Sequence, residues 1–390
     1  MQKATILRVL YFLVFCCTAS WLPVLADYCR NKGLTGTQTS LILSITPVIM
    51  FAVQPLYGIM ADKFGYKKTL LIASFFSSIA YLGYLQTGGY TWLIIVTVVM
   101  SVFYNTLQPV LDSLSLQLAK QDSKFSYGTL RIAGAAGWSF TGIITGQVID
   151  AININMIFVI SSSSMFLVFL FCFLLKEDEK EKPAVETSSF KNVSGVFRNR
   201  ALLFLLFCVF IISAGATTIW NFYSTYMKEN GASASLVGYG LSLQGLCELP
   251  LFYFSAKIIQ KFGLRATLVI TVTATVIRLL LYSVIKNPIA ALPIEMLHGF
   301  SWSLFWVACV EYVNKLVDEH WLATGQSLLY ASYFGAGAIA GNYWTGYLYD
   351  AGLKISQIFL LNAGVVFAVV ILLVVFMRNN KANQPLPTVS

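Results

Sequence analysis

The sequence predicts an all-α membrane protein of twelve transmembrane helices in two six-helix halves, and three observations carry that prediction. Of its 390 residues 57% are hydrophobic and only 11% charged, with a mean hydropathy of +0.72, whereas a soluble domain carries about 25% charged residues. Apolar runs of membrane-crossing length, about 17–25 residues, recur along the whole chain. Finally, Ala61-Asp-Lys-Phe-Gly-Tyr-Lys-Lys68, after the second run, is echoed by Ile259-Gln-Lys-Phe-Gly-Leu-Arg-Ala266 after the eighth, which marks an internal repeat of the kind transporters carry.

In order, the spans fall near 7–26, 40–61, 68–86, 91–118, 127–149, 153–175, 201–226, 236–259, 266–285, 289–314, 323–348 and 355–377. The first begins at Leu7 without a small-residue cleavage site and is followed by a second span, so a retained helix is expected. The one long polar stretch, with Lys-Glu-Asp-Glu-Lys-Glu-Lys-Pro from 176 and then a Ser/Thr-rich segment, has a linker's composition. The expected organisation is a first half over 1–175, a linker over 176–200, a second half over 201–378 and a tail over 379–390. Lys and Arg gather in alternate loops, including Lys63, Lys67, Lys68, Lys257, Lys261 and Arg265, while the other loops hold only Arg30, Lys32, Lys228, Lys286 and Lys354. The positive-inside rule then places both termini in the cytoplasm.

The net charge of +9 is spread over these loops and gathers on no single face, which argues for membrane topology and against nucleic acid. Seven cysteines lack paired metal spacing and mostly sit within apolar runs, as small packing residues do. There is no Walker-type phosphate loop, and the histidines are only His298 and His320. No enzyme activity, metal or cofactor is expected.

Against this background, charges inside helices stand out. Asp112 and Arg131 sit on neighbouring apolar spans, where a charge costs roughly 2.5–3.5 kcal/mol on insertion scales and so suggests function. The alternative is that Arg131 snorkels to an interface and Asp112 serves a helix end.

Gly58-Ile-Met-Ala-Asp62-Lys-Phe-Gly65-Tyr-Lys67-Lys68 resembles the loop motif between helices two and three of the major facilitator superfamily. The resemblance implies that fold, with Gly58, Asp62, Gly65, Lys67 and Lys68 as a cytoplasmic gate motif. A narrower resemblance, to the lactose permease-like branch of oligosaccharide, nucleoside and phenylpropionate proton symporters, runs over nearly the whole chain. It rests on Gln54-Pro-Leu-Tyr-Gly58, Pro109-Val-Leu-Asp112, Tyr127 to Trp138, Glu248, Arg278, Leu297-His298-Gly-Phe and Ala340-Gly-Asn342. It implies substrate contacts at Asp112, Arg131, Trp138, Glu248 and His298, and proton coupling through Glu248 and Arg278. A carboxylate that accepts and a guanidinium fork that donates suit vicinal hydroxyls, and an aromatic face suits the C–H side of a sugar. An ordinary packed tryptophan at 138 and a histidine bonded to a neighbouring helix at 298 are the competing readings.

The chain also departs from that branch. The proton-carrying acid three residues after the histidine is Ser301 here, the helix-seven aspartates correspond to Ser213 and Ala216, and the helix-eleven lysine falls near Leu329. Glu295, one turn before His298, or Glu248 itself is the expected substitute for the missing acid. An asparagine after the helix-eight glutamate is replaced by Leu251, so galactoside specificity does not carry over.

The expected function is proton-coupled uptake of a sugar or glycoside by alternating access, by a monomer in a bacterial cytoplasmic membrane. A nucleoside or small aromatic acid is the alternative solute, and a non-transporting sensor on the same fold is a third reading. Two small-residue runs, 133–137 and 335–341, are expected to let helices approach closely.

Overall fold

A computed structural model describes residues 3–86, 88–122, 124–125, 127–175, 199–317 and 321–377. Among these residues every regular element is helical. The first membrane helix, α1, runs from Lys3–Trp21 through a 3-10 turn at Leu22–Val24 into Leu25–Asn31. Pro23 sits in that turn, where its missing N–H removes no helical bond. Helix α2 is Gly36–Phe64 and opens with a capping box: Thr35 Oγ1 accepts from the Gln38 amide at 3.2 Å, and Gln38 Oε1 accepts from the Thr35 amide at 3.0 Å. Helix α3 is Tyr66–Gly83, and α4 is made of Gly89–Tyr104 and Leu107–Gln121. The break in α4 is held by Asn105, whose amide donates to the Thr46 carbonyl at 3.0 Å.

Helices α5, Tyr127–Ala151, and α6, Met156–Cys172, complete the first six, and α7 is Arg200–Glu229. A run of 51 residues, Ala234–Val284, breaks at Gly263 into α8 (234–262) and α9 (264–284). Helix α10 (288–316) passes through a 3-10 segment, Leu292–Leu297, and a π-helical turn, Gly299–Leu304, while α11 (322–350) contains a π-helical turn at Ala331–Gly337. Helix α12 is Ile355–Phe376. All twelve expected spans are therefore occupied by helix. Among the described residues seven helical stretches are long and apolar enough to cross a membrane on those criteria alone, one of them being the α8–α9 run. Helix α6, at 17 residues, is a shorter apolar helix, and the turns in α10 and α11 divide those two into short pieces. Large apolar side chains stay exposed along α12, among them Leu360, Phe367 and Ile371, as a lipid-facing surface requires.

The internal repeat is structural as well as sequential. Gly65 has φ 88 and ψ 152, and Gly263 has φ 79 and ψ 160, a region that favours glycine because it has no Cβ. After each, a threonine one turn on closes the same bond: Thr69 Oγ1 donates to the Gly65 carbonyl at 2.9 Å, and Thr267 Oγ1 to the Gly263 carbonyl at 2.7 Å.

The chain divides into two compact units, Met1–Val185 with Tyr223–Leu246, and Glu186–Phe222 with Cys247–Ser390. Apart from Asn199 and Arg200 the expected linker lies outside the described residues, as do His320 and the tail. In the first unit α5 packs on α1 through small residues: a Cβ at Gly137 would overlap the Phe12 carbonyl, and one at Gly134 would stand 2.7 Å from the Phe15 ring. The second unit repeats the device, with Gly341 of α11 against the Ala214 carbonyl of α7 and Gly337 against Ser213. Both runs of small residues thus serve close helix approach, where lipid offers no hydrophobic drive and van der Waals packing must supply the contact. Asn362 ties α12 into the second unit, donating to Thr218 Oγ1 at 2.8 Å and to the Gly215 carbonyl at 3.2 Å.

Candidate functional site: two polar clusters

The first cluster lies in the first unit. Asp112 projects from Leu107–Gln121 and is half-buried. Tyr11, fully buried on α1, donates its hydroxyl to Asp112 Oδ1 at 2.6 Å. Arg131 lies one turn after Tyr127 on α5 and donates Nη1 to the Tyr127 hydroxyl at 2.9 Å. Its guanidinium carbon stands 5.8 Å from the Tyr127 ring centre and 6.0 Å from that of Phe15, so aromatic faces flank the cation. The Arg131 charge and the Tyr127 hydroxyl both act on the Asp112 carboxylate. Arg131 is half-buried, with its guanidinium held by these contacts. Trp138, seven residues after Arg131 and so on the same face of α5, is half-buried. A Cβ at Gly245 would stand 3.3 Å from its Cδ1, so α8 approaches this ring closely.

The second cluster lies in the second unit and is almost closed to solvent. Arg278 on α9 is 3% exposed; its Nη2 stands 2.8 Å from Glu295 Oε2, and Glu295 is fully buried. The Tyr282 hydroxyl donates to the other oxygen of Glu295. From the same guanidinium, Nη1 reaches Ser301 Oγ at 2.9 Å and His298 Nδ1 at 3.0 Å. His298 Nε2 stands 2.9 Å from Glu248 Oε1, and the Glu248 side chain is 19% exposed. Because a guanidinium only donates, Nδ1 must accept, which places the imidazole proton on Nε2, where it donates to Glu248. His298 is thus a neutral donor with a fixed tautomer, and Glu248 is the exposed end of a continuous chain from Glu295 through Arg278 and His298.

The geometry also explains Ser301. Glu295 and Ser301 lie three residues to either side of His298 and both reach Arg278. Position 301, where the resemblance expects an acid, and the Glu295 carboxylate thus share one guanidinium.

The structure therefore brings Glu248, Arg278, Glu295 and His298 into one cluster, and Asp112 with Arg131 into another. In the loop motif, Gly65 adopts its positive φ, Lys67 donates to the Phe173 carbonyl at 3.0 Å and Lys68 is exposed. Gly58 and the Asp62 side chain lie outside the described residues. Sequence reasoning did not single out Tyr11, Tyr127, Tyr282 or Trp220 as site residues. Two of them carried a signal, since Tyr127–Arg131 and Arg278–Tyr282 are spaced to meet on one helix face. Trp220, on α7, packs edge-on against His298 with ring centres 5.0 Å apart.

The family model described as the MFS_1 like family matches residues 4–361. The chain belongs to this family of major facilitator transporters. It is 25% identical over 349 residues to YwbF, an uncharacterized transporter of Bacillus subtilis strain 168, covering 88% of this chain and 86% of that protein. It is 23% identical over 385 residues to a maltose permease of Geobacillus stearothermophilus, covering 98% and 97%. The solved structure of the nucleoside transporter NupG superposes with a TM-score of 0.85 at 18% identity, over 97% of this chain and all of that one, which shows the shared fold. This MFS_1-like transporter is thus a multi-pass helical membrane protein of a family that moves small molecules.

Proposed function

We propose that the protein takes up a sugar or glycoside together with protons by alternating access. The observation that carries this reading is the partly exposed Glu248 at the end of the buried Glu295–Arg278–His298 chain. A carboxylate that meets solvent at one end and a fixed donor at the other suits both a solute hydroxyl and a proton. The acceptor Asp112 and the donor Arg131, with Trp138 two turns along, support a polyhydroxylated solute, and the sugar-permease relatives point the same way. The same proposal includes halves over 1–175 and 201–378, both termini in the cytoplasm, a bacterial cytoplasmic membrane, a monomer and no chemical conversion of the solute. Its second reading is a nucleoside or small aromatic acid, favoured by the Trp220 ring against His298.

The test is alkalinisation of the medium by energy-depleted cells expressing the protein, on adding disaccharides, glycosides, nucleosides or phenylpropionate in turn. A pH rise with one class supports proton symport and names the solute. In Glu248→Gln uphill accumulation should stop while exchange continues. Saturable uptake without a pH change would overturn the proton coupling.

A further inference from the structure

We infer that Trp220, Trp302 and Phe334 form a stacking subsite for an aromatic or heteroaromatic ring carried by the transported solute, beside Glu248 and His298. The inference rests on the uptake reading above and narrows it to a hydroxylated solute that bears a ring.

Its basis is an aromatic assembly confined to the second unit. His298, Trp302 and Trp306 recur every four residues along α10, while Met296 and Phe300, 57% and 39% exposed, lie on the opposite side of the helix. The Trp302 side of α10 is therefore turned away from these exposed side chains. Trp220 stands edge-on to both His298 and Trp302, at 5.0 Å and 5.2 Å between ring centres, so it joins the polar cluster to the aromatic one. Trp302 in turn meets Phe334 edge-on at 5.7 Å.

Behind these rings lies a second, rigid row. Phe305, Trp306 and Tyr333 are 1%, 9% and 5% exposed, whereas Trp220, Trp302 and Phe334 are half-buried. Trp302 stacks on Trp306 at 5.5 Å and packs on Tyr333 at 5.3 Å, and the Tyr333 hydroxyl accepts from Trp220 Nε1 at 3.4 Å. Three of these six rings, Trp302, Tyr333 and Phe334, are carried by the two π-helical turns, Gly299–Leu304 and Ala331–Gly337; such turns are rare and occur often at functional sites. Fixed, half-exposed π faces with a carboxylate and a neutral imidazole at one end match a ligand with a flat apolar part and a hydroxylated part. A plain disaccharide would leave the aromatic faces with less of their area covered.

Two solute classes share that chemistry, aryl glycosides and nucleosides, and one experiment separates them. Binding to the full-length protein in detergent is measured for methyl and phenyl β-glucoside, and for ribose and adenosine. The wild type should bind the ring-bearing member of one pair about 5- to 100-fold tighter, the span expected for stacking one ring on an aromatic side chain. The pair that shows the gain names the source. Trp302→Ala should abolish the gain while leaving the ring-less partner within about two-fold, and Trp302→Phe should keep most of it. Should Trp302→Ala melt far below the wild type, Phe334→Ala, at the other side of the subsite, is read in the same way. Equal wild-type affinity with and without the ring, or equal loss of both in Trp302→Ala, overturns the subsite and leaves the uptake reading standing. No binding of any of the four solutes to a folded wild type overturns the subsite, while the alkalinisation screen decides the uptake reading separately.

Discussion

Thr225 on α7 donates its hydroxyl to Asp27 Oδ1 at 2.7 Å, across 198 residues of chain. Ser224 donates to the other oxygen, and Lys228 Nζ stands 3.1 Å from it. Asp27 is 3% exposed, so its charge is tolerated only because three donors surround it. Asp27→Ala should cost about 2–3 kcal/mol, the size of a buried hydrogen bond to a charged group. Asp27→Asn, which keeps an acceptor but loses the charge facing Lys228, should cost less. Thermal melting in detergent would rank the two. In a variant whose only cysteine is the buried Cys29, on the same short helix, Asp27→Ala should also speed maleimide labelling. Equal melting of Asp27→Ala and wild type would mean that the three contacts contribute nothing net.

The Asp112 and Arg131 cluster makes a separate prediction, read in binding instead of stability. Both residues are half-buried, so either can be truncated without leaving a sealed charge. Asp112→Ala and Arg131→Ala should each lower solute affinity at least about ten-fold with expression unchanged, one lost charged hydrogen bond being worth roughly 1.5–3 kcal/mol. Tyr11→Phe removes only the hydroxyl that holds Asp112, and should weaken binding by a smaller factor, on the order of a net neutral bond. Isothermal titration of the three variants gives the ranking, and retained affinity in either alanine variant would remove the pair from the site.

What sequence could reach here was set by rarity. Asp112, Arg131, Glu248, Arg278 and Glu295 stand out because a charge in an apolar run has few structural excuses, and all five fall in the two clusters. Tyr11, Tyr282 and Trp220 did not stand out, because the chain holds 20 tyrosines, 29 phenylalanines and eight tryptophans and a functional ring looks like any packing ring. Asp27 was passed over for the opposite reason: at the end of an apolar run a carboxylate reads as a solvated loop, and only packing shows it buried. The twelve helices were legible from apolar length and the repeat from Lys-Phe-Gly. The π-helical turns in α10 and α11 carry no local sequence signature, since they arise from how side chains fit across helices.

Glycines divide into those that another backbone touches and those that nothing touches. A Cβ at Gly238 would overlap the Gly142 carbonyl, whereas one at Gly364 on α12 meets nothing within 4 Å. Gly238→Ala should therefore destabilise by about 1–3 kcal/mol through overpacking. Gly364→Ala should be neutral or stabilising by up to about 1 kcal/mol, because alanine loses less backbone entropy in a helix. Melting temperatures of the two variants should move in opposite directions or differ clearly. Equal shifts would mean that the α5–α8 contact relaxes freely.

The buried ion pair offers the sharpest test of how positions 295 and 301 share the Arg278 charge. Arg278 and Glu295, at 2.8 Å and 3% and 0% exposed, form a pair whose separate halves would each be an uncompensated charge. Glu295→Gln should therefore destabilise by about 3–5 kcal/mol, the cost of breaking such a pair from one side. Ser301 Oγ already lies 2.9 Å from the same guanidinium, so a carboxylate placed there faces Arg278 from the other side of His298. In the Glu295→Gln background, Ser301→Asp should recover at least half of the lost stability, and the double-mutant cycle should show a favourable coupling between 295 and 301. In the wild-type background the same change puts two carboxylates on one cation, and should destabilise. Both signs follow from a single Arg278 charge shared by two positions. Additive effects of the two substitutions would show that position 301 does not reach the cation, and that Glu295 holds Arg278 alone.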